Sequence, residues 1–231
     1  MDRRKIVTQI GSLPYTDPAE AVAYSLKHDI PFLPELPKLG DAMLEYIKHP
    51  GKLSCLKEFK KHKFDTVKIQ CIGPATLMLS GYKEDQALQR IIEHISAMLE
   101  GLQAEEIILF LDEPALGHSG VNFRELWQAL FANFNVVSGA HVCGNMDWDL
   151  MFDSCLSIIS FDASKYDLTK YSRYRSGKRI AWGIENKKQV KDFQQGDLIT
   201  LPCGLGTPLN TVDTSKAKLK TLLEIAEELS R

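Results

Sequence analysis

Ile107-Ile108-Leu109-Phe110-Leu111-Asp112-Glu113-Pro114 is an apolar run closed by two acids and a proline. A run this short, bounded by turn residues, suits a strand buried on both faces, as in parallel sheets. Further strand-like stretches lie on either side: Lys5 to Ile10, Ile30 to Leu36, Val67 to Ile72, Val136 to Ala140, Ile158 to Phe161, Ile180 to Ile184 and Leu198 to Leu201. Helical patterns fall between several of them. Asp17-Pro18 supplies a cap and a first-turn proline. Leu88, Ile91, Ile92, Ile95, Met98, Leu99 and Leu102 recur at helical spacing, and further helices are expected around Phe123 to Phe131 and from Thr214 to Leu229. Eight strands in β-α alternation predict a compact (β/α)8 TIM barrel, residues 1–231 forming one domain. The chain is short for that fold, so some helices must be short or missing; the tyrosine-rich stretch between Phe161 and Lys178 is weakly helical.

Bulk properties narrow the function. Hydrophobic residues make up 44% of the 231 and charged residues 25%, the balance of an ordinary globular protein. A net charge of -2 gives no electrostatic footprint for nucleic acid or an anionic membrane surface. Apolar runs fall short of the roughly 20 residues that span a bilayer. Met1-Asp2-Arg3-Arg4-Lys5 is basic, but the residues after it lack the apolar core of a signal peptide. A cytoplasmic protein is expected. There its five cysteines stay reduced.

The residues at the strand ends carry the chemistry. Ile10 is followed by Gly11-Ser12, Pro34 by Glu35, Leu111 by Asp112-Glu113, Ala140 by His141-Val142-Cys143, Phe161 by Asp162, Ile184 by Glu185 and Pro202 by Cys203. In a barrel these carboxyl ends converge on one face, where such folds carry their sites. In extended chain His141 and Cys143 point to the same side, so an imidazole and a thiolate can reach one metal. Mixed nitrogen and sulfur donors favour zinc, and three protein ligands leave a position open for catalysis. An H-x-C triplet alone fits a buried histidine and a buried cysteine equally well; Cys203, with Asp162 nearby, is what favours the metal. Asp112, Glu113 and Glu35 also have a structural alternative, since acids at strand ends cap helices or pair with arginine. Cys71 is expected to pack, and Cys55 and Cys155 to be inert. His28, His49, His62, His94 and His118 show no ligand-like spacing.

At these residues the sequence resembles the catalytic barrel of cobalamin-independent methionine synthase. That superfamily also holds uroporphyrinogen decarboxylase and the zinc methylcobamide:thiol methyltransferases. Ile10-Gly11-Ser12-Leu13-Pro14 is similar to the synthase's I-G-S-[FL]-P. Pro34-Glu35 through Asp41, Met43 and Glu45-Tyr46 is similar to G-E-x-x-x-x-D-M-x-E-Y-F, with one residue inserted. Ile72-Gly73-Pro74 resembles T-G-P, Leu111-Asp112-Glu113-Pro114-Ala115-Leu116 resembles I-D-E-P-A-L, and the likeness extends to Cys203-Gly204-Leu205. His141-Val142-Cys143-Gly144-Asn145 is closer to the H-x-C-G-[ND] of the methylcobamide:thiol enzymes.

The resemblance implies zinc ligands at His141, Cys143 and Cys203, with Asp162 in place of the synthase's glutamate ligand. It implies that Glu35 and Asp112 hold a substrate α-amino group and that the Ile10-Gly11-Ser12 backbone receives its carboxylate. The synthase's additional N-terminal half, which helps bind folate, has no counterpart in this sequence. Shortened relatives take the methyl group from a corrinoid. The function implied is zinc-dependent methylation of homocysteine or a similar thiol, from methylcobalamin or another methylcorrinoid, free or on a corrinoid protein, and secondarily from a folate. The alternative is a degenerate, non-catalytic corrinoid- or metal-binding barrel acting with a partner protein.

Overall fold

The computed structural model describes residues 6–118 and 122–230. The basic terminus, with Lys5 at the start of the first predicted strand, and the His118 side chain lie outside that description. Six strands form one all-parallel sheet in chain order: β1 Lys63–Ile72, β2 Gln103–Asp112, β3 Val137–Val142, β4 Ile158–Asp162, β5 Arg179–Gly183 and β6 Leu198–Thr200. The helices among the described residues are α1 Pro18–Ser25, α2 Met43–Tyr46, α3 Leu56–Phe59, α4 Pro74–Leu79, α5 Glu84–Leu99, α6 Phe123–Phe131, α7 Trp148–Phe152 and α8 Val212–Leu229. None is long and apolar enough to cross a membrane.

The expected (β/α)8 barrel is not what forms. The sheet has six strands, and the two predicted staves at the start of the chain are not strands. They run beside the sheet edges and meet them, and each other, through single bridges: Val7 with Ile199, Ser12 with Glu35 and Phe32 with Lys68. Local chemistry explains this. Pro31 and Pro34 have no N–H to give to a ladder. In the first stave the Asp29 carboxylate accepts from the Ile6 and Val7 N–H groups, at 3.1 and 3.0 Å. The Gly11 N–H goes to the Gln70 side chain at 2.8 Å. Donors that a neighbouring strand needs are therefore spent on side chains. Regular alternation fails as well: the links from β4 to β5 and from β5 to β6 carry only the 3₁₀ turns Leu168–Lys170 and Lys187–Gln189.

Each central strand is buried on both faces. Ile108 and Phe110 of β2 join Ile10, Ile30, Ile158, Ala181 and Leu198 in a small inner cluster, whereas Leu109 and Leu111 join the larger cluster that includes helix residues. Val67, Ile69 and Cys71 of β1 also sit in the larger cluster, so the alternating Lys68 and Gln70 face inward. The helices obey the sequence. Asp17 caps α1 by accepting from Ala19 and Glu20, and α5 buries Ile91, Ile95 and Met98. Cys71 is buried, as is Cys55, and all five cysteines are free.

A charged staple fastens the loop before β5 to the β6 edge. The Arg175 guanidinium donates to both Asp197 oxygens at 2.8 and 2.7 Å, and its Nε donates to Asp192 at 3.0 Å. Asp197 also accepts from Ile180 N, Trp182 Nε1 and Gln194 N. Replacing Asp197 with Ala leaves a part-buried guanidinium and several buried N–H donors without their acceptor. The expected loss in urea unfolding is about 3 kcal/mol; a loss within experimental error would show the staple to be dispensable.

Candidate functional site

Parallel register aligns the carboxyl ends of the strands. Asp112 lies opposite His141, His141 opposite Ser160, and Asp162 opposite Gly183. His141 is buried, and its Nδ1 is 3.0 Å from Ser160 Oγ. Its Nε2 is buried without a regular hydrogen bond, but close enough to Cys203 to favour the thiolate there. The Cys143 thiol bonds to Cys203. That bond first, then His141, holds the Cys203 thiol well below its ordinary range. Cys143 is pushed up in turn, by the same bond and by burial. The two sulfurs and the imidazole are thus neighbours.

The structure therefore brings His141, Cys143 and Cys203 into one chain of contacts. Among the described residues, no three or more His, Cys, Asp or Glu side chains are grouped so that they could hold a metal ion as they stand. The donor types present nevertheless suit zinc: a buried imidazole nitrogen without a regular hydrogen bond and two sulfurs, one of which its neighbours hold low. Asp162 is turned elsewhere. Its Oδ1 accepts from Ser164 N at 2.9 Å and Ser164 Oγ at 2.5 Å, and its Oδ2 pairs with Lys165 at 3.1 Å. Burial pushes its carboxyl up, but the Ser164 and Lys165 bonds outweigh this and hold it below the usual range.

The expected substrate residues gather around a side chain that the sequence did not flag. Gln70 Oε1 accepts from Lys68 Nζ at 2.6 Å and from Gly11 N at 2.8 Å, while its Nε2 donates to Asp112 Oδ2 at 2.9 Å. Lys68 is fully buried, its ammonium 4.9 Å from the centre of the Phe110 ring. Asp112 Oδ1 and Glu35 Oε1 are buried acceptors with no partner among the described residues. Burial, reinforced by Asp112, pushes the Glu35 carboxyl well up. Burial also raises Asp112, against the pull of His141 and Lys68. Ile10 contributes its side chain to the inner cluster.

Ser12 connects this group to the metal-ligand candidates. Its carbonyl accepts from Leu205 N at 2.7 Å, and its hydroxyl accepts from Gly206 N at 3.4 Å. A Cβ on Gly204 would lie 2.0 Å from that hydroxyl, so a larger residue after Cys203 would turn the Ser12 hydroxyl away. Glu113, by contrast, is structural: it accepts from Ala75 N, Thr76 N, Thr76 Oγ1 and Trp127 Nε1, tying the start of α4 to α6. Lys68, Gln70 and Ser160 escaped the sequence reading. The available signal was polar residues alternating with Val67, Ile69 and Cys71 in a strand too apolar to be half-exposed.

Lys68 gives this cluster a pH signature. Burial brings its ammonium from the ordinary 10.5 down to about 8, opposed by Asp112 and Glu35. Below about 8 it is charged in both states and the fold carries the desolvation cost; between there and 10.5 the folded chain releases the proton first. The fold should thus gain stability relative to a Lys68→Met variant as pH rises through that window. Denaturant titrations of both proteins measure the difference, and one that stays flat with pH would refute the assignment. No protein-family model and no curated protein matches the chain.

Proposed function

We propose that the chain is a zinc-dependent methyltransferase that activates a thiol, homocysteine or a similar one, for methylation by a methylcorrinoid such as methylcobalamin. The observation that carries this reading is the buried Nε2 of His141, without a regular hydrogen bond, beside the Cys203 and Cys143 sulfurs. His141, Cys143 and Cys203 are the residues that would hold zinc. Ser160 fixes the imidazole through Nδ1, leaving Nε2 as the donating nitrogen. Bound zinc supplies one thing, conversion of a substrate thiol, ordinarily only a few per cent ionised at neutral pH, into thiolate. Asp162 is a candidate fourth ligand that would first have to release Ser164 and Lys165.

The chain's own groups do the remainder. Glu35 and Asp112 offer unpartnered carboxylate oxygens to a substrate ammonium, and Lys68 offsets part of their charge. The burial of these acids excludes water from the ammonium seat. We place this chemistry in the cytoplasm, because five free cysteines suit a reducing compartment. The methyl carrier is a corrinoid, free or on a partner protein; neither nucleic acid nor a membrane surface is proposed as a partner, given a net charge of -2.

Metal analysis of the purified full-length chain should find about one zinc per chain. His141→Ala and Cys203→Ser should each lose it, while Asp162→Asn should retain it. Ser160→Ala should weaken zinc affinity about ten- to a hundredfold by freeing the imidazole. Methyl transfer from methylcobalamin to homocysteine or 3-aminopropanethiol should follow zinc content across the series. Zinc content unchanged in Cys203→Ser, or absent from the wild type, would overturn the reading.

A further inference from the structure

The resemblance to methionine synthase assigns the substrate carboxylate to the Ile10-Gly11-Ser12 backbone, and here a side chain stands against its central residue. The Gly11 N–H already donates to Gln70 Oε1 at 2.8 Å. A Cβ built on Gly11 would lie 2.8 Å from Gln70 Cδ and 2.9 Å from Nε2, so the amide lies against this glycine. The same Oε1 accepts from Lys68 at 2.6 Å, which spends the nearest cation on the amide as well. Gln70 is itself anchored from the other side, through Nε2 to Asp112 at 2.9 Å. It is buried, as are Gly11, Lys68 and Asp112.

The free hydrogen-bonding capacity at this place is of one kind. Glu35 Oε1 and Asp112 Oδ1 are buried acceptors without partners among the described residues. Neither oxygen has a donor to meet it, so an entering carboxylate would only add acceptors, whereas an ammonium supplies the missing donors. We infer that the substrate is an aminothiol without an α-carboxylate, seated by its ammonium on Glu35 and Asp112, with the Gln70 amide occupying the place a carboxylate needs. This rests on the reading that the site methylates a thiol, and it narrows the acceptor from amino acids to simple amines.

The matched pair methionine and 3-(methylthio)propylamine differ only by the carboxylate and mimic the two possible products. Titrated calorimetrically into the purified full-length protein, the amine should bind about ten- to a hundredfold more tightly, the penalty for burying an unpaired carboxylate. Gln70→Ala should free the Gly11 N–H and raise methionine affinity about tenfold relative to amine affinity, the ratio being the readout because Gln70 also anchors Asp112. Gln70→Asn, whose shorter amide withdraws from Gly11, should shift in the same direction and serves if the alanine variant is unstable. The wild-type comparison needs neither variant. Methionine binding as tightly as the amine, or no measurable amine binding, would overturn this inference. The methyltransferase reading fails separately, if zinc-dependent methyl transfer is found with neither homocysteine nor 3-aminopropanethiol.

Discussion

A parallel sheet buried on both faces leaves no water for an inward polar side chain, so each such group has to find its partner among the others. That constraint shapes the whole interior. Lys68 is tolerable only because Gln70 accepts from it and two acids stand near; Asp112 is held by the far end of the same amide. Gln70 in turn holds the chain at Gly11, one reason that the first segment lies beside the sheet without joining its ladder. Not every group is satisfied. Among the exceptions are Glu35 Oε1, Asp112 Oδ1 and His141 Nε2 on the carboxyl side of the sheet, alongside Thr8 Oγ1, Gln9 Nε2, the Tyr15 hydroxyl, His94 Nε2, Trp148 Nε1 and Thr200 Oγ1. Unsatisfied polar atoms in a dry interior cost stability, and a ligand that met the first three would offset part of that cost.

The fold is legible where the hydrophobic pattern decides it. Strands β3 to β6 lie within two residues of their predicted bounds, because an apolar run between turn residues has few other ways to hide its backbone. Strands β1 and β2 begin four residues earlier than predicted, in polar sequence. The two opening staves depart from expectation for a reason that periodicity does not encode. Asp29 and Gln70, distant in sequence from the groups they bind, take donors from Ile6, Val7 and Gly11, and prolines remove others. With those positions withdrawn from the ladder, eight predicted staves become six strands and two bridged segments.

The site divides in the same way. His141, Cys143 and Cys203 are legible because strand-end register alone places them together, and they do touch. Asp162 stands at the expected strand end, but the direction of its side chain depends on Ser164 and Lys165, whose role only the folded loop reveals. Sequence alone does not separate Asp112 from Glu113. Adjacent in the chain, they point to opposite faces, so one joins the inner polar group while the other binds the start of α4.

The latch between Ser12 and Leu205-Gly206 bears on when the site can come into being. It joins groups 194 residues apart, among the most distant pairings the chain makes. During synthesis His141 and Cys143 emerge well before Cys203, and the Gly11 loop waits for strand-end partners made much later. Contacts of such separation form against a large loop-closure entropy and tend to come late in folding. Chains that stop short of Cys203 therefore present His141 and Cys143 without the second sulfur. The three candidate donors can stand together only once the Ser12 loop and the Leu205-Gly206 segment that follows Cys203 have met.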